Sequence, residues 1–300
     1  MPIRTALLLL LAACATPPLS VDPGLPAAVL AELRALPAGA HASVWLSAPL
    51  GEPAVAVGED EAMPSASAIK VAYLVELFAE HAEALDAPFP LAEALPDGLQ
   101  SPAIAHLPEA ARQTAIAALT GASVRRIGEV MIRGNGVDNT TYNVAANLVT
   151  AHFGGPQWLE VALRARDPRW RGLAVQRYML ADRVANGDNE ATARSLAAVH
   201  GGLAAGSVPG VDPRAVAAAR AVLAAGNDER GRAVFQKGGD LDSEPVTRVR
   251  AGWREGPGGA FVHVVMLRWD GVPAAERAAR GDHLAALAVK LERMLVDGVR

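Results

Sequence analysis

Apolar and polar residues alternate in two different ways along the chain. Ala27 to Leu36 has apolar residues at helical spacing with Glu32 and Arg34 between them, and Pro37 with Gly39 ends the run. Two short stretches of strand character follow, Ala42 to Ala48 and Ala54 to Val57; Pro49-Leu50-Gly51-Glu52-Pro53 divides them, which predicts a hairpin. From about Val71 to Ala225 the pattern becomes alanine- and leucine-rich with a helical period. It predicts helices over Pro108 to Leu119, Ser123 to Arg133, Thr140 to Ala151, Pro156 to Leu163, Asn189 to Ala205 and Pro213 to Ala225. Strand character returns in Arg232 to Lys237, Val246 to Trp253 and Ala260 to Trp269, the last two joined by the turn sequence Glu255-Gly256-Pro257-Gly258-Gly259. A closing helix, about Ala274 to Val296, places Leu284, Leu287, Leu291 and Leu295 on one stripe. Strands at both ends with helices between predict an α+β fold. One antiparallel sheet is built from the two chain ends and flanked by helices, an all-helical lobe is inserted over approximately 80–228, and a cleft lies between them.

One stretch departs from plain packing. Pro64-Ser65-Ala66-Ser67-Ala68-Ile69-Lys70 is small and polar and opens into the apolar run Val71 to Phe78, which predicts a buried helix beginning near Ser65 or Ser67. Ser67 and Lys70 then share one face of its first turn. A serine hydroxyl needs a base within hydrogen-bond reach to act as a nucleophile, and a lysine amine stripped of its charge by burial is such a base. The helix start would also favour negative charge developing beside Ser67. The plainer alternative is that a serine caps the helix and Lys70 points to water.

Composition narrows the class of protein. With 300 residues, 51% hydrophobic, 20% charged and a net charge of -4, the chain can build a large core and shows no basic footprint for nucleic acid. Met1 to Ala13 reads as an export signal, with Arg4 at its start and Leu7 to Leu11 as its apolar centre, and it is too short to span a bilayer. Leu11-Ala12-Ala13-Cys14 resembles a bacterial lipoprotein box, which implies lipidation of Cys14; ordinary secretory cleavage is the alternative. Cys14 is the sole cysteine, so no internal disulfide forms. The expected organisation is a signal over 1–14, a proline-containing tether over 15–24 and one catalytic domain over 25–300. The expected location is the bacterial envelope, with the domain held in the periplasm by its lipid. A monomer is expected.

Two further segments extend the Ser67-Lys70 pattern. Around 137–143, either Val137-Asp138-Asn139 or Thr141-Tyr142-Asn143 supplies an asparagine; the second keeps hydroxyl-x-Asn and is followed by Asn147-Leu148 and Gly154-Gly155-Pro156. Near the carboxyl end stands Lys237-Gly238-Gly239, at the end of a strand. Taken in order, these segments resemble the class A β-lactamase and penicillin-binding serine hydrolase superfamily, whose signatures are SxxK, S-x-N and K-T-G. The resemblance implies that Ser67 is acylated, with Lys70 as its proton-transfer partner. Thr141 would relay a proton to the leaving group, Asn143 would hold a substrate carbonyl and Lys70, and Lys237 would meet a substrate carboxylate. Gly239 and Asp240 would bind substrate, the Asp240 N–H completing an oxyanion hole with that of Ser67. At Thr141 and Asn143 the alternative is a helix cap, and at Lys237 an exposed residue before a turn.

One family element is missing. Class A enzymes carry Glu-x-x-x-Asn for deacylation, but Arg164 to Met179 contains no glutamate, and Arg177 falls near the vacant position. Arg248 and Arg250 alternate with valine on a strand; one would suit a carboxylate, and solvation is the plainer alternative. The seven histidines, at 41, 81, 106, 152, 200, 263 and 283, show no metal-ligand spacing, so no metal or other cofactor is expected. The chain therefore reads as a serine hydrolase of β-lactam-like or peptidyl amide and ester substrates. The rival reading is a lipid-anchored envelope protein with a degenerate site that binds and acylates slowly or not at all.

Overall fold

The computed structural model describes residues 19–300. The export signal, Cys14 and the first part of the tether lie outside the described residues. Helix α1 (Leu25–Arg34) starts with a proline in its first turn and buries Leu25 and Val29. Strands β1 (Ala40–Ser47) and β2 (Pro53–Val57) form the expected hairpin. A two-residue strand β3 (Met63–Pro64) follows, then α2 (Lys70–Glu80), buried from Lys70 through Phe78. A helix buried on every side belongs in the centre of a lobe.

The helices that follow are α3 (Leu91–Ala94), α4 (Glu109–Leu119), α5 (Val124–Arg133), α6 (Asn139–His152), α7 (Pro156–Arg166), α8 (Arg183–Asn186), α9 (Ala193–Ala204) and α10 (Pro213–Leu223); α5, α6, α7, α9 and α10 pack on α2, and α3 and α4 pack on α6. Local chemistry sets their ends. Ser123 caps α5 by accepting from Arg126 N–H, Asp138 caps α6, and Gly134, at φ 63°, ends α5 in the left-handed conformation. Between α8 and α9 a second two-residue strand, β4 (Glu190–Ala191), pairs with β3.

The chain then returns to the sheet through β5 (Ala224–Asn227), β6 (Ala233–Gln236), β7 (Gly239–Leu241), β8 (Val246–Gly256) and β9 (Gly259–Trp269), and closes with α11 (Arg277–Asp297). The antiparallel order is β2-β1-β9-β8-β6-β5, with β7 also on β8. Strand alternation divides two cores. Val44, Leu46, Val265 and Leu267 face α1 and α11, whereas Trp45, Val264 and Met266 face the helical lobe.

Several local expectations are corrected. The helix foreseen from Asn189 starts at Ala193, because Glu190-Ala191 is drawn into the β3 ladder and Thr192 with Ser195 forms the capping box. The helix foreseen to Ala225 stops at Leu223, where Ala224 pairs with Phe235. The helix after Ser67 becomes regular only at Lys70; before it, Ala68 N–H bonds Ser65 C=O at 2.9 Å and Lys70 N–H bonds Ser67 C=O at 3.3 Å, in tight turns. Among the described residues no helix is long and apolar enough to cross a membrane.

Candidate active site

Ser67 sits on a turn held from both sides. Ser65 caps nothing: its backbone N–H and its hydroxyl both donate to Asn189 C=O, each at 2.8 Å, tying this turn to the end of β4's loop. Ala66 is forced to φ 48°, a conformation that costs a non-glycine residue about 1–3 kcal/mol and persists only where neighbours impose it. The neighbour is β7, whose Gly239 lies so close that a Cβ there would stand 2.4 Å from Ser67 N and 2.7 Å from Ala66 Cβ. Only glycine fits that approach. Ser67, half-buried, opens on a cleft of about 310 Å³ lined by Tyr142, Asn143, Arg177, Asp188, Asp240 and Leu241 among others. The first amides of α2 do not point at Ser67, because those of Lys70, Val71 and Ala72 are taken by the carbonyls of Ser67, Ala68 and Ile69. Among the described residues the Ser67 N–H itself has no protein acceptor.

Lys70 is completely buried, so it does not point to water. Its Nζ donates to Asn143 Oδ1 at 2.9 Å and lies 3.3 Å above the centroid of the Tyr142 ring. The Asn143 amide is itself oriented, its Nδ2 donating to Asn139 C=O at 2.8 Å and to Asn139 Oδ1 at 3.2 Å. Burial, and after it the charge of Lys237, holds the Lys70 amine well below the ordinary lysine range. A buried amine biased toward its neutral form can accept a proton. Lys70 is turned toward Asn143 and Tyr142, and no hydrogen bond joins it to the Ser67 hydroxyl.

The second segment is decided by helix phase. Because α6 is regular from Asn139, residues Asn139, Tyr142 and Asn143 line the cleft side at i, i+3 and i+4. Thr141 lies about 200° around the axis from Asn143 and is 1% exposed inside the lobe. The hydroxyl relay expected of Thr141 is thereby corrected: the side chain is turned away from the cleft, and Tyr142 stands beside the lysines instead. Of the two alignments, Thr141-Tyr142-Asn143 brings its asparagine to Lys70, whereas Asp138 is the helix cap and Asn139 supports Asn143. Tyr142 was missed because nothing in the sequence sets the phase of α6 until its first residue is known.

Lys237 arrives from the sheet. β6 and β7 keep one register on β8, and Lys237 N–H bonds Ala251 C=O at 3.0 Å in the gap between them. Its Nζ is 5.0 Å from the Tyr142 ring centroid, and the residue also lines a second cavity of about 690 Å³ with Arg133, Asn135 and Arg250. Asp240 is half-exposed on the Ser67 cleft, and its Oδ1 is 3.9 Å from Arg248 Nε. Arg248 is buried and committed to Asp242 Oδ1 at 2.6 Å and Leu241 C=O at 3.1 Å, so neither solvation nor a ligand occupies it. Arg250 is the arginine of the pair that reaches a cavity beside Lys237.

The loop side carries cations where an acid was sought. Arg177, 7% exposed, donates to Asp188 Oδ1 at 2.8 Å, and Arg183 pairs with the other oxygen of the same carboxylate. Asn189 Oδ1 accepts from the N–H groups of Gln176 and Arg177, and Asn147 Oδ1 accepts from Met179 N–H at 2.6 Å. Asp188, the carboxylate that this wall presents to the cleft among the described residues, is thus engaged by two guanidiniums.

No family model and no curated protein matches the chain. Solved structures do. A mutant of PBP-A, an acyl-enzyme complex with penicillin G, aligns over 93% of this chain and 97% of its own at 21% identity and a TM-score of 0.65. A class A β-lactamase of the last common ancestor of Gram-negative bacteria aligns over 91% and 98% at 18% identity and a TM-score of 0.66. The β-lactamase of Streptomyces albus G aligns over 89% and 98% at 19% identity and a TM-score of 0.58. The chain has the fold of class A β-lactamases and penicillin-binding proteins.

Proposed function

We propose that the chain is a serine hydrolase that forms an acyl-enzyme through Ser67 on β-lactam-like or related amide and ester substrates. One observation carries this reading: a completely buried, uncompensated lysine amine held on Asn143, three positions after a serine on a strained turn that opens into a cleft. A lysine hidden from water without a carboxylate partner costs stability, so packing does not explain it. In the acylation step Lys70 takes the Ser67 proton as the hydroxyl oxygen attacks the carbonyl carbon. The N–H groups of Ser67 and Asp240 receive the developing oxyanion, and the proton then passes to the leaving nitrogen or oxygen. Lys237 with Arg250 supplies positive charge for a substrate carboxylate. Tyr142, between the two lysines, is the side chain a substrate must pack against or displace.

Among the described residues the loop wall presents no free carboxylate to the cleft, since Asp188 is taken by Arg177 and Arg183, and this favours slow hydrolysis of the acyl-enzyme. The same observation, with Lys70 not hydrogen-bonded to Ser67, supports the second reading, a binding protein with an altered site. The Leu11-Ala12-Ala13-Cys14 segment supports export and lipid anchoring at the envelope. Intact-mass spectrometry during exposure to benzylpenicillin tests the enzyme reading. The wild type is expected to gain one penicilloyl mass that decays slowly, and Ser67→Ala is expected to gain none. Equal labelling of the two proteins, or no labelling of either, would sink it.

A further inference from the structure

His81 and His152 are 71 positions apart, yet their Nε2 atoms approach to 3.2 Å, and His152 Nε2 is 3.3 Å from Glu80 Oε1. Glu80 ends α2, His81 follows it, and His152 ends α6. Lys70 and Asn143 meet near the starts of the same two helices, so α2 and α6 run parallel and touch at both ends. We propose that Glu80, His81 and His152 form a divalent transition-metal site, of the zinc type, that clips the far ends of these two helices together. This inference does not depend on the hydrolase reading.

Two features point to a cation and not to a plain hydrogen-bonded pair. The first is valence: a neutral imidazole Nε2 holds either one proton or one lone pair, yet His152 Nε2 has two polar atoms within 3.3 Å. Donation to the Glu80 carboxylate leaves it nothing with which to accept from His81. A cation among the three atoms lets each present a lone pair. The second is spacing. Tetrahedral zinc with ligands at about 2.0–2.1 Å places its donor atoms about 3.3 Å apart and radiating imidazole centroids about 5.2 Å apart. The observed separations are 3.2 and 3.3 Å between donors and 5.1 Å between the two ring centroids.

The surroundings suit such a site. Phe89 and Phe153 each stand 5.5 Å from the His152 ring and fix it in place. The Glu80 side chain is 47% exposed, so an ion can enter from solvent and keep a water as its fourth ligand. Two imidazoles and one carboxylate select zinc, cobalt, nickel or copper over magnesium or calcium.

The test is titration of the chelator-stripped full chain with zinc chloride, followed by calorimetry and thermal unfolding. One saturable equivalent in the micromolar range is expected, with Tm rising by about 5 °C at a hundredfold excess over Kd. His81→Gln and His152→Gln should each weaken binding at least about tenfold. Ser67→Ala should bind zinc as the wild type does, which separates this site from the fate of the hydrolase reading. Where a variant fails to fold in chelator, zinc-induced shifts of the His81 and His152 imidazole resonances in the wild type give the same answer. No saturable binding, wild-type affinity in both histidine variants, or resonances that stay unmoved would overturn the proposal.

Discussion

Lys70 is where a single side chain says most about this protein. Burial and the neighbouring charge of Lys237 keep its amine well below the ordinary value of 10.5, which the unfolded chain retains. Between the folded and unfolded values the unfolded state binds the extra proton, so stability rises with pH through that window and is lowest below it. Lys70→Met removes the buried amine. Its Tm is expected to exceed that of the wild type at neutral pH and to change less toward the lysine range, while acylation by penicillin falls at least about 10²-fold. A less stable variant at neutral pH would show that the amine is no burden to the fold. The Ser67-Lys70 spacing was legible in the sequence because it lies within one turn. Tyr142 and the inward turn of Thr141 were not, since a shift of one residue in the start of α6 exchanges which side chain faces the cleft.

Among the elements, α11 is fixed to the sheet by a polar contact inside an otherwise apolar face. Glu292 accepts from Arg254 Nη2 at 2.8 Å on β8, and its Oε1 lies 3.0 Å from His263 Nε2 on β9. Burial alone would raise the Glu292 carboxyl, but the hydrogen bonds and charge of His263 and Arg254 outweigh it and hold the group down to about 2. Its folded value lies below the unfolded 4.5, so its contribution is complete above 4.5 and is lost as pH falls toward about 2. Glu292→Gln should cost about 3–5 kcal/mol at neutral pH, because Arg254 is left buried without its anion. Urea unfolding should show the gap to the wild type closing through the acid window; a constant gap would place the loss in packing and not in charge. The stripe of leucines made α11 legible, whereas the β3–β4 ladder was not. Two residues carry no period, and their pairing joins segments more than 120 positions apart.

At the scale of the molecule, the cleft exists because the loop between α7 and α9 is docked against both the helical lobe and the Ser67 turn. Asn147 holds that loop from inside the lobe, accepting from Met179 N–H at 2.6 Å and donating to Ala103 C=O at 2.9 Å and Met179 C=O at 3.1 Å. Asn147→Leu orphans Met179 N–H and Ala103 C=O, while Met179 C=O keeps His106 Nε2 at 3.0 Å, and should cost about 2–5 kcal/mol. Hydrogen exchange at the Met179 amide should quicken well beyond the global loss; unchanged exchange there would mean that another contact docks the loop. The sequence by itself determined the longer helices, the hairpins, most of their limits and the serine-lysine pair, because each depends on neighbours within a few positions. Tertiary structure alone decided which residues come to meet that pair, how far Lys70 is stripped of water, and that His81 and His152 face one another. Desolvation and convergence are properties of packed surfaces, and no stretch of chain carries them before it is packed.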